Sequence, residues 1–308
     1  MHVVVSGAAG VLGSRVAINL SARHTVRGVD LRPVPPSVQA VESIQAVQAD
    51  LTDPDGCARA VAGAEVVVHC ASIHPWKEYA DGFYWDLNVK ATHHLLAACV
   101  AMGVKRVVLT SSVEPFGGRP FAPEELPVRE DVTPAPRRLY GLTKQIGEEV
   151  AARFHRVDAL CCIVLRPATF IPREEEHIGP RLLTGTWLYP EDVIAAHVLA
   201  VDAPAPPTGW EAHYIAPAVP YSAADVAATR RGTDEALAVY ERHYPGVGEV
   251  FQRHGIAIPP LTVFYDIERP ARSLGWRPRW GFADWLAVQR DAPIGQLRPS
   301  YDINRWLV

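Results

Sequence analysis

The stretch Val3 to Ala17, VVVSGAAGVLGSRVA, sets three valines against a glycine-rich turn and then a helix-forming run. Gly7, Gly10 and Gly13 lie between the two in a G-x-x-G-x-x-G pattern, one residue looser than the common dinucleotide fingerprint. The physical demand is the same. A backbone without Cβ atoms lets a pyrophosphate approach closely, and the helix that follows offers unpaired N–H groups and a partial positive charge. Read this way, the stretch predicts the first strand–loop–helix unit of a parallel α/β sheet, with Val11 and Leu12 beside the phosphates.

Working outward, short β-branched runs recur at 2–6, 25–29, 44–49, 65–70, 104–111 and 159–167. Their near-continuous apolar character suits strands covered on both faces. Helical patterns fill the gaps at 11–22, 54–62, 82–102 and 138–156. That alternation predicts a Rossmann-type, doubly wound parallel sheet with right-handed crossovers. After Pro167 the rhythm changes. Helices are expected at 190–202, 222–229, 233–243, 268–275 and 282–290, with short strands near 212–216 and 261–265. The expected division is a dinucleotide-binding domain over 1–167, which also receives later segments such as 188–203, and a smaller mixed α/β lobe over 168–308. Such a lobe would cap the carboxyl edge of the sheet, where ligands of open α/β sheets bind.

Composition narrows the function classes. With 48% hydrophobic and 21% charged residues the 308-residue chain reads as globular rather than disordered. The formal net charge of −4 comes with no basic tail or stripe, so neither nucleic acid nor an anionic membrane surface is an expected partner. The first residues lack the basic region and long apolar run of a signal peptide, and no apolar run approaches a membrane span. Five cysteines, odd in number and without C-x-x-C spacing, predict reduced buried thiols in a cytoplasmic protein and no metal site.

Asp30 ends the second expected strand, 20 residues past Gly10, where a carboxylate can take both ribose hydroxyls of an adenosine. Its charge repels a 2′-phosphate and so favours NAD over NADP, with Arg32 partly offsetting it. Asp50 can accept from the adenine amino group or serve as a helix cap nearby.

Further motifs fall in a fixed order. Asp50-Leu51 closes the third expected strand, and "VVVHCAS" (Val66–Ser72) ends the fourth on His-x-Ala. Asn88-Val89 follows on a helix, "LTSSVEPFG" ends the fifth strand, and "YGLTK" places Tyr140 four residues before Lys144, one of only four lysines. Jointly these resemble the extended short-chain dehydrogenase/reductase family, which includes the NAD-dependent sugar epimerases and dehydratases. The resemblance spans most of residues 1–200. It implies NAD as cofactor, held by Gly7, Gly10, Val11, Leu12 and Gly13, by Asp30, Arg32, Asp50 and Leu51, and by Cys70, Ala71, Ser72 and Asn88. Tyr140, Lys144, Arg166 and Pro167 complete that implied set.

Residues four apart share one helix face. An ammonium beside a phenol favours phenolate, so Lys144 is expected to lower the Tyr140 pKa toward working pH. Tyr140 would then accept the proton of a substrate hydroxyl as hydride leaves the same carbon. In the family a Ser or Thr hydroxyl orients the substrate, and counting back from Gly117 puts it at Ser112. Glu114 stands where nucleotide-sugar dehydratases and decarboxylases carry a glutamate, although Val113 replaces the dehydratases' preceding acid. It is therefore open as a base or as an ion-paired surface residue.

His74, Trp76 and Lys77 lie in the loop after the fourth strand and are candidates to touch substrate. Arg173 and Arg181 could meet a carboxylate or phosphate, though the "REEE" run could equally neutralise Arg173. The short spacing from Arg166 to Asp192-Val193 is similar to compact uronate dehydrogenases. The expected function is an NAD-dependent oxidoreductase, hydride moving at a secondary hydroxyl of a sugar or sugar derivative, in a dimer of the family's usual kind. Two alternatives stay open: a reductase of small ketones or steroid-like alcohols, and a non-catalytic NAD-sensing protein.

Overall fold

A computed structural model describes residues 1–75, 78–171 and 173–302. Trp76 and Lys77, two of the candidate substrate residues, lie outside that range. Seven strands form one sheet: β1 (His2–Ser6), β2 (Thr25–Asp30), β3 (Ile44–Gln48), β4 (Val66–His69), β5 (Arg106–Thr110), β6 (Cys161–Pro167) and β7 (Trp210–Ile215). Their order is β3-β2-β1-β4-β5-β6-β7, and every neighbouring pair is parallel. The strand order reverses between β1 and β4, which places the crevice for a ligand beyond the carboxyl ends of these two strands.

The alternation of β-branched side chains sorts them to two faces. Val3, Val5, Val66, Val68, Val108, Ile163 and Leu165 enter one core, which continues into the helical C-terminal segments. Val4, Val67, Val107, Leu109 and Val164 enter the other, against the helices Pro54–Val61, Thr92–Ala101 and Leu139–Asp158. Cys57, Cys99 and Cys162 belong to this second core, and all five cysteines are free thiols.

The expected helix over 82–102 is one continuous rod whose middle, Tyr84–Ala91, is wound as a π-helix between Asp81–Phe83 and Thr92–Ala101. Besides the short helix Pro36–Gln39, two longer helices are not expected from the sequence. Glu175–Leu183 carries Gly179 and Pro180, which argue locally against a helix. A Cβ on Gly179 would lie 2.5 Å from the Trp285 ring, so the glycine is there to admit the tryptophan. Val247–His254 runs between Gly246 and Gly255, both at positive φ. The strand expected at 261–265 is instead extended chain with a single parallel bridge from Tyr265 to Val128. The strand expected at 212–216 is β7, the edge of the main sheet, where it pairs with β6. Among the described residues no helix is long and apolar enough to cross a membrane.

Candidate active site

The glycine triad forms a cradle with no room for side chains. Gly7 has φ +76°, and a Cβ on it would stand 2.7 Å from the Ala71 nitrogen. A Cβ on Gly13 would stand 2.2 Å from the Gly7 carbonyl oxygen. Gly10 N–H closes the turn on the same carbonyl at 2.9 Å, and Val11 and Leu12 begin the helix. Asp30, at the tip of β2, accepts from Ala9 N–H at 3.0 Å through one oxygen. Its other oxygen accepts from Arg32 N–H at 3.0 Å, with the Arg32 guanidinium 3.4 Å away. Close backbone, a helix N-terminus and a carboxylate at the tip of β2 fit the pyrophosphate and adenosine ribose of a dinucleotide.

Asp50 is turned to its own loop, accepting from Thr52 N–H and Thr52 Oγ1, both at 2.8 Å. The helix that follows is capped by Asp53 instead. Leu51 is buried and its carbonyl accepts from the Cys57 thiol. Across the crevice, Ala71 N–H donates to Ser6 Oγ at 3.4 Å, and Cys70 Sγ accepts from Thr110 Oγ1 at 3.5 Å. Burial lifts the Cys70 thiol to about 11. Asn88 braces this wall. Its Oδ1 accepts from Ile73 N–H at 2.8 Å and from Ser72 Oγ at 3.2 Å, while its Nδ2 donates to Thr143 Oγ1 at 3.1 Å. Thr143 in turn donates to the Tyr140 carbonyl, so the loop after β4 is tied to the helix carrying Tyr140 and Lys144.

The residues after β5 are stapled to that same helix. Lys144 Nζ donates to the Thr110 carbonyl at 2.9 Å and lies 5.9 Å from the Tyr140 ring centroid. Ser111 Oγ bonds the Glu148 carboxylate, Ser112 bonds the Tyr140 hydroxyl, and Glu114 Oε1 accepts from Arg138 Nε at 2.8 Å. His74 lies over Tyr140, ring centroids 5.3 Å apart. Ser112, Tyr140, Lys144, His74 and Glu114 are therefore brought together, with both members of the Tyr-Lys pair buried.

The electrostatics correct one expectation. Tyr140 is held well above the ordinary tyrosine value, chiefly by burial, with the Ser112 bond pulling the other way. Lys144 does not acidify it here. Burial pulls Lys144 itself down to about 8, and the ammonium is spent on a backbone carbonyl. Desolvation of both groups outweighs their mutual influence.

Arg166 is linked to this cluster through Glu148, which also bonds Ser111. Its Nη2 meets Glu148 at 2.7 Å, both side chains buried, and its guanidinium stacks 3.9 Å from the centroid of Phe116. The pair engages Nε and Nη2, and Nη1 donates to the Glu130 carbonyl at 3.3 Å. Pro167 ends β6, with its carbonyl accepting from Val113 N–H.

Arg173 sits near enough to Arg181 to bear on it. Burial, and then Arg173, lowers Arg181. Arg173 Nε is buried with no hydrogen-bond partner. The acids of "REEE" do not neutralise them: Glu175 accepts from Trp285 Nε1 and Ser300, and Glu176 lies by His177. No ion pair to either arginine occurs among the described residues.

Three structural residues escaped the sequence reading: Glu148, Arg138 and Thr143. Glu148 was within reach of it, because it lies four residues beyond Lys144 and shares its helix face.

A family model described as "NAD dependent epimerase/dehydratase family" matches residues 3–185, more than half of the chain. The chain belongs to that family. Among similar proteins, the 3 beta-hydroxysteroid dehydrogenase/Delta 5-->4-isomerase of Mycobacterium tuberculosis is 32% identical over 178 residues, 54% of this chain and 46% of that one. The chain thus spans about half the length of the curated relatives it matches. UDP-glucuronic acid 4-epimerase of Bacillus cereus, solved with UDP-glucuronic acid and NAD, superposes with a TM-score of 0.69. It is 20% identical, over 94% of this chain and 98% of its own. A mutated uronate dehydrogenase gives 0.67 at 21% identity over 95% of this chain and 86% of its own. At these identities the likeness establishes the shared fold of the epimerase/dehydratase family.

Proposed function

We infer that this chain is an NAD-dependent oxidoreductase of the epimerase/dehydratase type, acting at a secondary hydroxyl of a sugar or sugar-derived substrate. The observation that carries the reading is the buried trio at the crevice, with Ser112 facing the Tyr140 hydroxyl and Lys144 one helical turn on. NAD bound in the glycine cradle, with Asp30 at its adenosine ribose, supplies the acceptor for hydride. Ser112 orients the substrate oxygen and Tyr140 exchanges its proton. The protonated phenol favoured by burial is the form that donates to a ketone oxygen, so reduction needs no prior ionisation of Tyr140. Oxidation needs the phenolate and gains with rising pH. Lys144 holds the nicotinamide ribose in this reading, and Asn88 fixes the wall facing it.

The Arg173–Arg181 pair supports an acidic substrate, since two neighbouring guanidiniums without carboxylate partners among the described residues favour an anion between them. A carboxylate or phosphate on the sugar is the matching group. Residues 1–167 serve the cofactor and 168–308 mostly the substrate. The free cysteines fit a reducing cytoplasm. Exposed Trp85 and Leu142, on the two long helices, support a homodimer through them.

A second reading rests on a different observation. The names of the sequence relatives point to steroid substrates, and an aromatic run from Tyr140 through Tyr84 to Tyr79 and exposed Phe83 leads outward from the site. An apolar ketone or sterol would lie along it. Incubating the protein with NAD and a panel of sugar acids, nucleotide sugars and 3β-hydroxysteroids, while following NADH, separates the two. Sugar-acid oxidation supports the first reading and steroid oxidation alone replaces it. Bound NAD surviving gel filtration, with substrate isomerised and no NADH released, marks a redox-neutral cycle.

A further inference from the structure

Glu114 stands after β5 beside the Ser112–Tyr140 pair, and its surroundings tie it to the start of the Tyr140 helix. One oxygen is bonded to Arg138 Nε at 2.8 Å, and Arg138 immediately precedes the Leu139–Asp158 helix. The Glu114 side chain lies over Gly141, the residue after Tyr140; a Cβ there would stand 3.2 Å from Glu114 Cγ and 3.5 Å from Oε1. Glu114 N–H also donates to Ser112 Oγ at 3.1 Å. Ser112 Oγ accepts from that amide, so its own proton is free to point at the Tyr140 oxygen. Backbone and side chain of one residue thus address both members of the hydroxyl pair.

We propose that Glu114 and Arg138 act as a positioning ion pair, fixing the Ser112–Tyr140 geometry and setting the charge that the Tyr140 hydroxyl feels. The inference rests on the reading of Tyr140 as the proton-exchanging group. Among the described residues the groups facing Tyr140 are Ser112 and Glu114 after β5, Arg138 at the start of its own helix and Lys144 on it, Tyr84 on the π-helix and His74 after β4. After burial and the Ser112 bond, Glu114 is the strongest influence raising Tyr140, and Arg138 opposes it. Lys144 points its ammonium at Thr110, and His74 stays neutral because burial drops it to about 3. Glu114 and Arg138 are therefore the adjustable charges. Arg138 is largely exposed, at 67% of its side chain, so an anion arriving at the crevice can compete with Glu114 for it.

Opposite shifts on opposite substitutions distinguish this role from simple support of the fold. Labelling the protein with 3,5-difluorotyrosine makes the phenols acidic enough to titrate, and the Tyr140→Phe variant assigns the Tyr140 fluorine signals. With NAD present, Glu114→Gln is expected to move the Tyr140 midpoint down and Arg138→Gln to move it up. The double variant should fall between them. Midpoints unmoved in both single variants, or moved in the same direction, overturn the proposal. If Glu114→Gln does not fold, Arg138→Gln against Arg138→Lys decides: an upward shift restored by lysine supports the pair, and no shift overturns it. The parent reading fails separately, through a Tyr140→Phe protein that still turns over, a result the titration does not depend on.

Discussion

Asp30 shows how a single side chain serves before and after ligand binding. Without ligand its two oxygens are satisfied by Ala9 and Arg32. The Ala9 bond holds the cradle in the shape a pyrophosphate needs. Asp30→Asn should weaken NAD binding roughly tenfold or more, because hydrogen bonds to a charged group are lost, and should narrow the preference over NADP. Titration calorimetry with both dinucleotides checks this; unchanged affinities would remove Asp30 from the cofactor site. Asp30 was readable in sequence because it sits a fixed distance beyond the glycines at a strand end. The charge state of Tyr140 was not. Spacing puts Tyr140 and Lys144 on one face, but only the fold reveals that both are buried and that the lysine spends its ammonium on Thr110. For the same reason the tie between Arg166 and Glu148 stayed hidden, since neither residue is near the other in sequence.

At the scale of elements, the first strand–loop–helix unit was legible because its chemistry is local. Gly13 admits the Gly7 carbonyl, and any side chain would collide with backbone rather than with a flexible group. Gly13→Ala is accordingly expected to abolish NAD binding, whereas Gly63→Ala, strained by its φ of +72° but with open space around its Cβ position, should cost stability and leave NAD binding intact. Equal loss of NAD binding in the two would contradict the cradle. Elements in the second half were less legible because their reasons are tertiary. The helix Glu175–Leu183 tolerates Gly179 and Pro180 for the sake of Trp285, and no local pattern announces a partner about a hundred residues away. The segment 261–265 has strand-like composition but meets no neighbouring strand, so it remains extended chain with one bridge. A strand depends on its partner as much as on its own sequence.

Across the whole molecule, burial also determines the acid response. His69, His74 and His213 are lowered to about 3 and His197 to about 4, in each case chiefly by burial. The folded chain therefore keeps four histidines neutral where the unfolded chain, with values near 6.5, takes up protons. Stability from this source is complete above pH ~6.5 and is lost as pH falls from there toward ~3. Thermal melts at about pH 7 and about pH 5 should differ by several degrees in favour of the former, on the order expected from a few kcal/mol. His213 adds a sharper test. Neither ring nitrogen makes a hydrogen bond, although Glu211 Oε2 lies 3.1 Å from Nε2 without bonding geometry. His213→Leu should raise the melting temperature, and more so at the acidic pH; a fall at both would mean the ring is satisfied after all.

The proposal that Tyr140 exchanges the proton is tested most directly by Tyr140→Phe. Turnover of whichever substrate the wild type oxidises should fall by about two to four orders of magnitude, the usual worth of a positioned acid–base group, while NAD affinity stays at the wild-type value. Turnover equal to wild type, with NAD still bound, would contradict the account.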